Sequence, residues 1–223
     1  MFVKTDACPA CGHINTKNFL ICVDHSISGD SFALVKCDFC SHVFTNPRPS
    51  DDRLNAYYKS TEYISHTNRI TSPIHLIYKL VRELTLRQKE ALITNLNKRR
   101  GSLLDYGCGT GNFITHCAKK GWTVTGIEPD DEARHLASKP SIEVNSGFTS
   151  SSEKYDIITT WHVLEHVPDP FYTLKELRNR LGDAGHILIA VPNHLSMDAK
   201  HYGKYWAGYD VPRHLSHFNR KSM

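Results

Sequence analysis

The chain has 223 residues, 40% of them apolar, and a formal net charge of +4. That length accommodates one or two domains with a core, and so mild a charge gives no warrant for a nucleic-acid surface. No run of about 18 apolar residues occurs, so no helical membrane span is expected. The opening Met-Phe-Val-Lys-Thr-Asp lacks the basic-then-apolar pattern of a secretion signal. Seven cysteines, with two Cys-x-x-Cys pairs among them, point to a metal in a reducing, cytoplasmic setting rather than to disulfides.

The first pair is Cys8 and Cys11, the second Cys37 and Cys40, and the turn-forming Gly12 and Ser41 follow them. Residues 19–23 and 32–36 read as short strands between the pairs. Residues 1–50 therefore read as a zinc ribbon. Four thiolates close all four tetrahedral positions, which makes the site structural and leaves no place for a substrate. So small a segment has little core of its own, and metal binding of roughly 10–16 kcal/mol would supply its folding energy. Cys22, Cys108 and Cys117 lack paired spacing and read as small packing residues.

Residues 45–50, with two prolines, form an extended linker. Residues 51–63 read as helical. After Pro73, apolar residues recur at Ile77, Leu80, Val81, Leu84, Leu92, Ile93 and Leu96, close to helical spacing. That helix ends in Lys98-Arg-Arg-Gly101, a basic last turn and a glycine stop. Residues 51–100 are read as a helical arm.

Residues 102–112 carry the strongest signal. Leu103 and Leu104 end in Asp105, and Gly107, Gly109 and Gly111 follow at alternate positions before a helix over 112–120. This is a buried strand, a glycine turn and a helix N-terminus. A second strand ends at Glu128, 23 residues after Asp105 (128 − 105). An acid about 20 residues beyond such a turn is placed to hold ribose hydroxyls. Further helices over 131–139 and 170–181 alternate with strands over 142–145, 155–161 and 185–191. Residues 101–223 thus read as an α/β, doubly wound parallel sheet. A dinucleotide would want a third glycine where Asn112 stands, and its pyrophosphate would be repelled by Asp105, so a nicotinamide oxidoreductase is disfavoured.

Asp105-x-Gly107-x-Gly109-x-Gly111 resembles motif I of the class I S-adenosylmethionine (SAM)-dependent methyltransferases. The resemblance implies that the glycine turn wraps the methionine part of SAM, that Asp105 binds the cationic cofactor, that Glu128 binds the ribose, and that Pro129 and His162 also line the cofactor. The run from His162 to Pro170 is similar to the segment after strand four in small-molecule members. The tail from Tyr209 to Phe218, with residues 46–50 and Tyr57-Tyr58, resembles a narrower group that carries an N-terminal zinc ribbon and occurs in bacterial glycan or secondary-metabolite pathways. This implies methyl transfer to a small molecule such as a sugar or nucleotide-linked sugar. The family sheet has seven strands. Residues 192–223 show no convincing strand pair, so the reading expects a truncated chain or an exposed edge met by a partner, such as a second copy.

The histidines are the reactive candidates. His162-x-x-Glu165-His166 spells an inverted zinc-peptidase motif, but it follows a strand and precedes two prolines. Certain small-RNA 2′-O-methyltransferases are similar in placing a metal-binding carboxylate–histidine cluster at this loop, which His162, Glu165, His166 and His214 or His217 would imitate. For a hydroxyl acceptor, His166, His214 and His217 are the candidate general bases, and Arg213 and Tyr209 the candidate holders of an anionic acceptor. The loop over 161–166 and the tail over 209–217 are expected to meet on the acceptor side of the cofactor, since both leave the carboxyl edge of the sheet. A non-catalytic zinc- and SAM-binding module is the alternative class.

Overall fold

The computed structural model describes residues 1–58, 73–150 and 153–223. The chain divides into two compact units, one of residues 1–67, 164–173 and 191–223, the other of residues 68–163 and 174–190.

The first unit begins with β1 (Phe2–Val3), β2 (Thr16–Val23), β3 (Ser31–Cys37), β4 (Val43–Thr45) and β5 (Arg48–Pro49). β2, β3 and β4 pair antiparallel, and β1 pairs with β5. Asp24 turns the chain between β2 and β3. Its carboxylate accepts the backbone N–H groups of Ser26, Ile27 and Ser28 at 3.1, 3.2 and 3.0 Å. Burial works to raise the pKa of Asp24, but the bonds from Ser28 and Ser26 and the charge of Arg213 prevail and hold it below the usual carboxylate value. A short helix, α1 (Asp51–Leu54), and a single turn over Asn55–Tyr58 follow. The remainder of the helix expected to reach residue 63 lies outside the described residues.

The second unit holds α2 (Pro73–Asn97), β6 (Ser102–Tyr106), α3 (Asn112–Lys119), β7 (Thr123–Ile127), α4 (Asp131–Ala137), β8 (Glu143–Asn145), β9 (Tyr155–Trp161), the latter part of α5 (Pro170–Asn179), and β10 (Leu181–Ala190). All five strands are parallel, in the order β10-β9-β6-β7-β8. Successive side chains of a strand face opposite ways. Leu103 and Ile157 accordingly join a core with Phe113, Ile114 and Trp122, while Leu104 and Ile158 join another with Leu177. Burial on both faces is why these strands read as unbroken apolar runs.

Two expectations change here. The apolar residues of α2 keep the helical spacing expected of them, and Ile93 is fully buried. Ile77, Leu80, Val81 and Leu84, however, are 55–61% exposed, and Leu92 and Leu96 are exposed as well, so of the stripe only Ile93 is buried. β10 starts at Leu181 rather than 185, and its register with β9 shifts between Leu181 and His186.

The tail also corrects the division into three consecutive domains. After α6 (Met197–Tyr202) and two single turns comes β11 (Ser216–His217), which pairs antiparallel with β4. The ribbon sheet is therefore β11-β4-β3-β2. The physical reason is core volume: Phe32, Leu34 and Val43 of the ribbon are buried together with Tyr209 and Val211 of the tail.

Candidate active site

β6 delivers the chain into the glycine turn, at the point of the sheet where the strand order reverses and ligands of doubly wound folds bind. Gly107, Gly109 and Gly111 have φ of 75°, 53° and 75°, a region closed to most L side chains. Two of them are also hemmed in. A Cβ on Gly107 would stand 2.3 Å from Val163 Cγ2, and one on Gly111 would stand 2.8 Å from Ala137 Cα. A Cβ on Gly109 would meet nothing within 4 Å. The middle of the turn therefore faces open space, and this is where a cofactor would lie against backbone.

Glu128, just past β7, closes the turn. Its Oε2 accepts the Gly109 N–H at 2.8 Å, and its Oε1 accepts the Asp130 N–H at 3.0 Å. Arg134 Nη1 donates to the carbonyls of Glu128 and Pro129. Pro129 and His162 are exposed, and His162 has φ of 58° with its N–H bonded to Ala190 O. Asp105 is placed differently from expectation. It is only 3% exposed and accepts a 2.6 Å bond from Thr159 Oγ1. Burial raises its pKa to about 7, against the lowering effect of Thr159 and Lys89. Asp105 thus braces the turn from below. Thr159 was missed in the sequence, although a hydroxyl following Ile157-Ile158 in a buried strand was a signal that some polar partner lay beside it. The open ground at Gly109, the adjoining carboxylate and the exposed rim fit SAM.

In the first unit, one sulfur from each of Cys8, Cys11, Cys37 and Cys40 lies within 4.8 Å of the others. The Cys8–Cys40 and Cys11–Cys37 sulfurs are 3.6 Å apart. Tetrahedral thiolates about 2.3 Å from zinc stand roughly 3.8 Å from one another, so the four residues fit that ion. Gly12 (φ 73°) and Ser41 (φ 64°) make the turns after each pair. Burial works against the Cys37 thiolate, but the N–H groups of Cys40 and Phe39 outweigh it and lower its pKa to about 7.

The first unit also brings part of the post-strand-four loop to the tail. Leu215 N–H bonds Glu165 O at 2.8 Å, and His166 Nδ1 lies 3.1 Å from Arg213 O and 3.0 Å from the Tyr58 hydroxyl. The rings of His166 and His214 meet edge-on with centroids 4.6 Å apart. Burial, and then the neighbouring His214, push the His166 pKa down to about 4. Trp161 and His162 belong to the second unit, where Trp161 packs on Phe113 beneath Lys89.

Three expected roles do not suit the geometry. His217 is 3% exposed within the sheet, with Nε2 3.2 Å from Thr45 Oγ1 and its ring against Tyr209, which leaves no room for an acceptor. Arg213 is buried and engaged, with Nε on Asp210 Oδ2 at 3.0 Å, Nη1 on Tyr57 O at 2.9 Å and Nη2 3.5 Å from Asp24 Oδ1. Tyr209 is buried in the apolar core. Neither Arg213 nor Tyr209 presents its polar end to an anion.

The burial of His217 makes stability sensitive to acid. Burial, followed by His214, His42 and His194, holds its pKa well below 6.5, and burial lowers that of His194 too. The unfolded chain therefore binds more protons than the folded one below about pH 6.5, and stability falls as pH falls through that value. The melting temperature should drop between pH 7.5 and 5. In His217→Gln, which cannot take up that proton, the drop should be smaller, and an unchanged pH slope would refute the assignment.

An all-parallel sheet in this order, with a glycine turn after its first strand and an acid after its second, defines a doubly wound, Rossmann-like nucleotide-binding fold. The methyltransferase-domain family Methyltransf_23 matches residues 75–223, and the chain belongs to that family. The ubiquinone biosynthesis O-methyltransferase of Vibrio vulnificus (strain YJ016) is 26% identical over 132 residues, 54% of each protein. That of Serratia proteamaculans (strain 568) is 28% identical over 103 residues, 41% of this chain and 43% of the relative. The chain spans about half the length of the curated relatives it matches. Among solved structures, the plantazolicin methyltransferase BpumL in complex with a triazolic desmethylPZN analog and SAH superposes with TM-score 0.53 at 20% identity. That match covers 72% of this chain and 66% of BpumL and shows the shared fold.

Proposed function

We propose that the protein transfers the methyl group of SAM to a small-molecule acceptor, a hydroxyl of a sugar or nucleotide-linked sugar in the first instance. The observation that carries this reading is the glycine turn, open at Gly109 and tied to the Glu128 carboxylate. Family membership and relatives named as O-methyltransferases support the small-molecule class. When bound, SAM supplies an already activated electrophilic methyl. The protein's own task is then to hold two reactants in line and exclude water. The backbone of Gly107–Gly111 would lie against the methionine part, and the oxygens of Glu128 would accept from the ribose. Of the three candidate bases, His166 and His214 are the imidazoles not enclosed in the ribbon sheet, and they are the ones that would take a hydroxyl's proton. Zinc on Cys8, Cys11, Cys37 and Cys40 would be structural, and the protein would work in the cytoplasm.

Calorimetry with SAM, SAH and NADH tests the cofactor. SAM and SAH should bind and NADH should not; the reverse result would sink the proposal. Glu128→Ala should weaken SAM by about 1.5–3 kcal/mol, the worth of a bond to a charged group. Mass spectrometry across sugar and nucleotide-sugar acceptors should then show methylated product. SAM binding without transfer to any acceptor would instead leave a non-catalytic binding module.

A further inference from the structure

One group of chemistry-bearing side chains lies apart from both the glycine turn and the thiolate cluster. Glu165, His166 and His214 each offer one ligand atom, and the three atoms lie within 4.8 Å of one another. Two distant stretches of the first unit bring them together. The backbone bond from Leu215 to Glu165 holds the stretches in register.

The hydrogen bonds of the two rings settle their tautomers. His166 Nδ1 faces Arg213 O at 3.1 Å, and His214 Nδ1 faces Gly208 O at 2.9 Å. A carbonyl only accepts, so Nδ1 carries the hydrogen on each ring, an arrangement the Tyr58 hydroxyl 3.0 Å from His166 Nδ1 also accommodates by accepting, and Nε2 of the neutral ring carries the lone pair. Metal-ligating histidines are held in this way, with the far N–H on a carbonyl and the near nitrogen turned to the ion. Asp210 Oδ2 stands 3.8 Å from His214 Nε2, beyond hydrogen-bond length, and adds negative charge nearby. The neighbouring cation, Arg213, is already matched by Asp210 and Asp24.

We propose that Glu165, His166 and His214 bind a divalent first-row transition-metal ion through the carboxylate and the two Nε2 atoms, at a site separate from the ribbon cysteines. Two imidazoles and one carboxylate suit Mn, Fe, Co or Zn rather than Ca or Mg, and differ from the soft four-sulfur set. Three protein ligands leave positions open for an oxygen ligand, either water or a hydroxyl or carboxylate of a small molecule, whose pKa the ion would lower. A nitrogen that ligates the ion cannot also take a proton. In the metal-loaded protein that effect on the bound hydroxyl replaces the imidazole base named above. Metal binding itself holds or fails independently of methyl transfer.

The test uses the full chain loaded with a single equivalent of zinc, which the four thiolates take first, so that the second site is left open. Mn2+ is the probe, because its preference for oxygen and nitrogen leaves the thiolates alone. Titration followed by the electron-paramagnetic-resonance signal of free Mn2+ should show one saturable site per chain. Glu165→Gln and His214→Ala should each weaken it by about tenfold or more, while exchange of the exposed His135 for Ala leaves it unchanged. No saturable site, or an affinity in both cluster variants equal to that of the unaltered protein, overturns the proposal. Should the variants fail to fold, the unaltered protein decides. Mn2+ should broaden the imidazole nitrogen resonances of His166 and His214 before those of His42 and His194, and broadening centred elsewhere overturns the site.

Discussion

Stripping zinc from freshly purified, reduced protein is expected to unfold the ribbon sheet. Structural zinc in zinc-finger peptides is worth about 10–16 kcal/mol, as much as the whole stability of a typical domain, about 5–15 kcal/mol. The buried ribbon core is small, comprising Cys8, Val35, Cys37 and Phe44 together with the cluster about Phe32, Leu34 and Val43. Chelation, or Cys37→Ser, should therefore abolish hydrogen-exchange protection in β2, β3 and β4. Metal analysis should return one zinc per chain before chelation. Protein that carries none, yet keeps those amides protected, would remove the ion from the account.

The second large effect is expected from a single methyl group. Gly111→Ala forces φ 75° on an alanine, at a cost of about 1–2 kcal/mol. Its Cβ would also stand 2.8 Å from Ala137 Cα, which is backbone and cannot swing aside. Overpacking of this kind costs about 1–3 kcal/mol, so the two together come to roughly 2–5 kcal/mol, visible in denaturant midpoints. Gly109→Ala separates fold from cofactor. It carries the backbone cost without the clash, and its methyl enters the open face of the turn. The variant should fold and bind SAM poorly. Unchanged SAM affinity in Gly109→Ala would show that the cofactor lies elsewhere.

The parts legible in the sequence were those whose chemistry is local. Alternate glycines after Leu103-Leu104-Asp105 have few uses other than a turn against a ligand. Cysteines at Cys-x-x-Cys spacing meet because a short turn makes them meet. The parts that were not legible depend on contacts far along the chain. His214 and His217 stand three residues apart in one tail, yet one joins a carboxylate cluster and the other is sealed inside a sheet. What separates them is the pairing of Ser216 and His217 with β4, which no periodicity announces. Arg213 read as an anion holder because its partners, Asp24 and Tyr57, lie more than 150 residues upstream. The stripe on α2 has correct helical spacing, but spacing states which side chains share a face and says nothing of what that face meets.

The strand exchange between ribbon and tail bears on how the protein is made. His42 and Ser216, hydrogen-bonded in the finished sheet, are 174 positions apart. At ribosomal rates of about 5–20 residues per second, roughly 10–35 s separate their synthesis. Throughout that interval the free edge of β4 has no native neighbour, and the apolar faces of Phe32, Leu34 and Val43 await Tyr209 and Val211. An N-terminal segment that looks self-contained would thus be the last to finish folding. A nascent chain stalled before residue 209 should recruit chaperones that a chain extended well past residue 217 no longer needs.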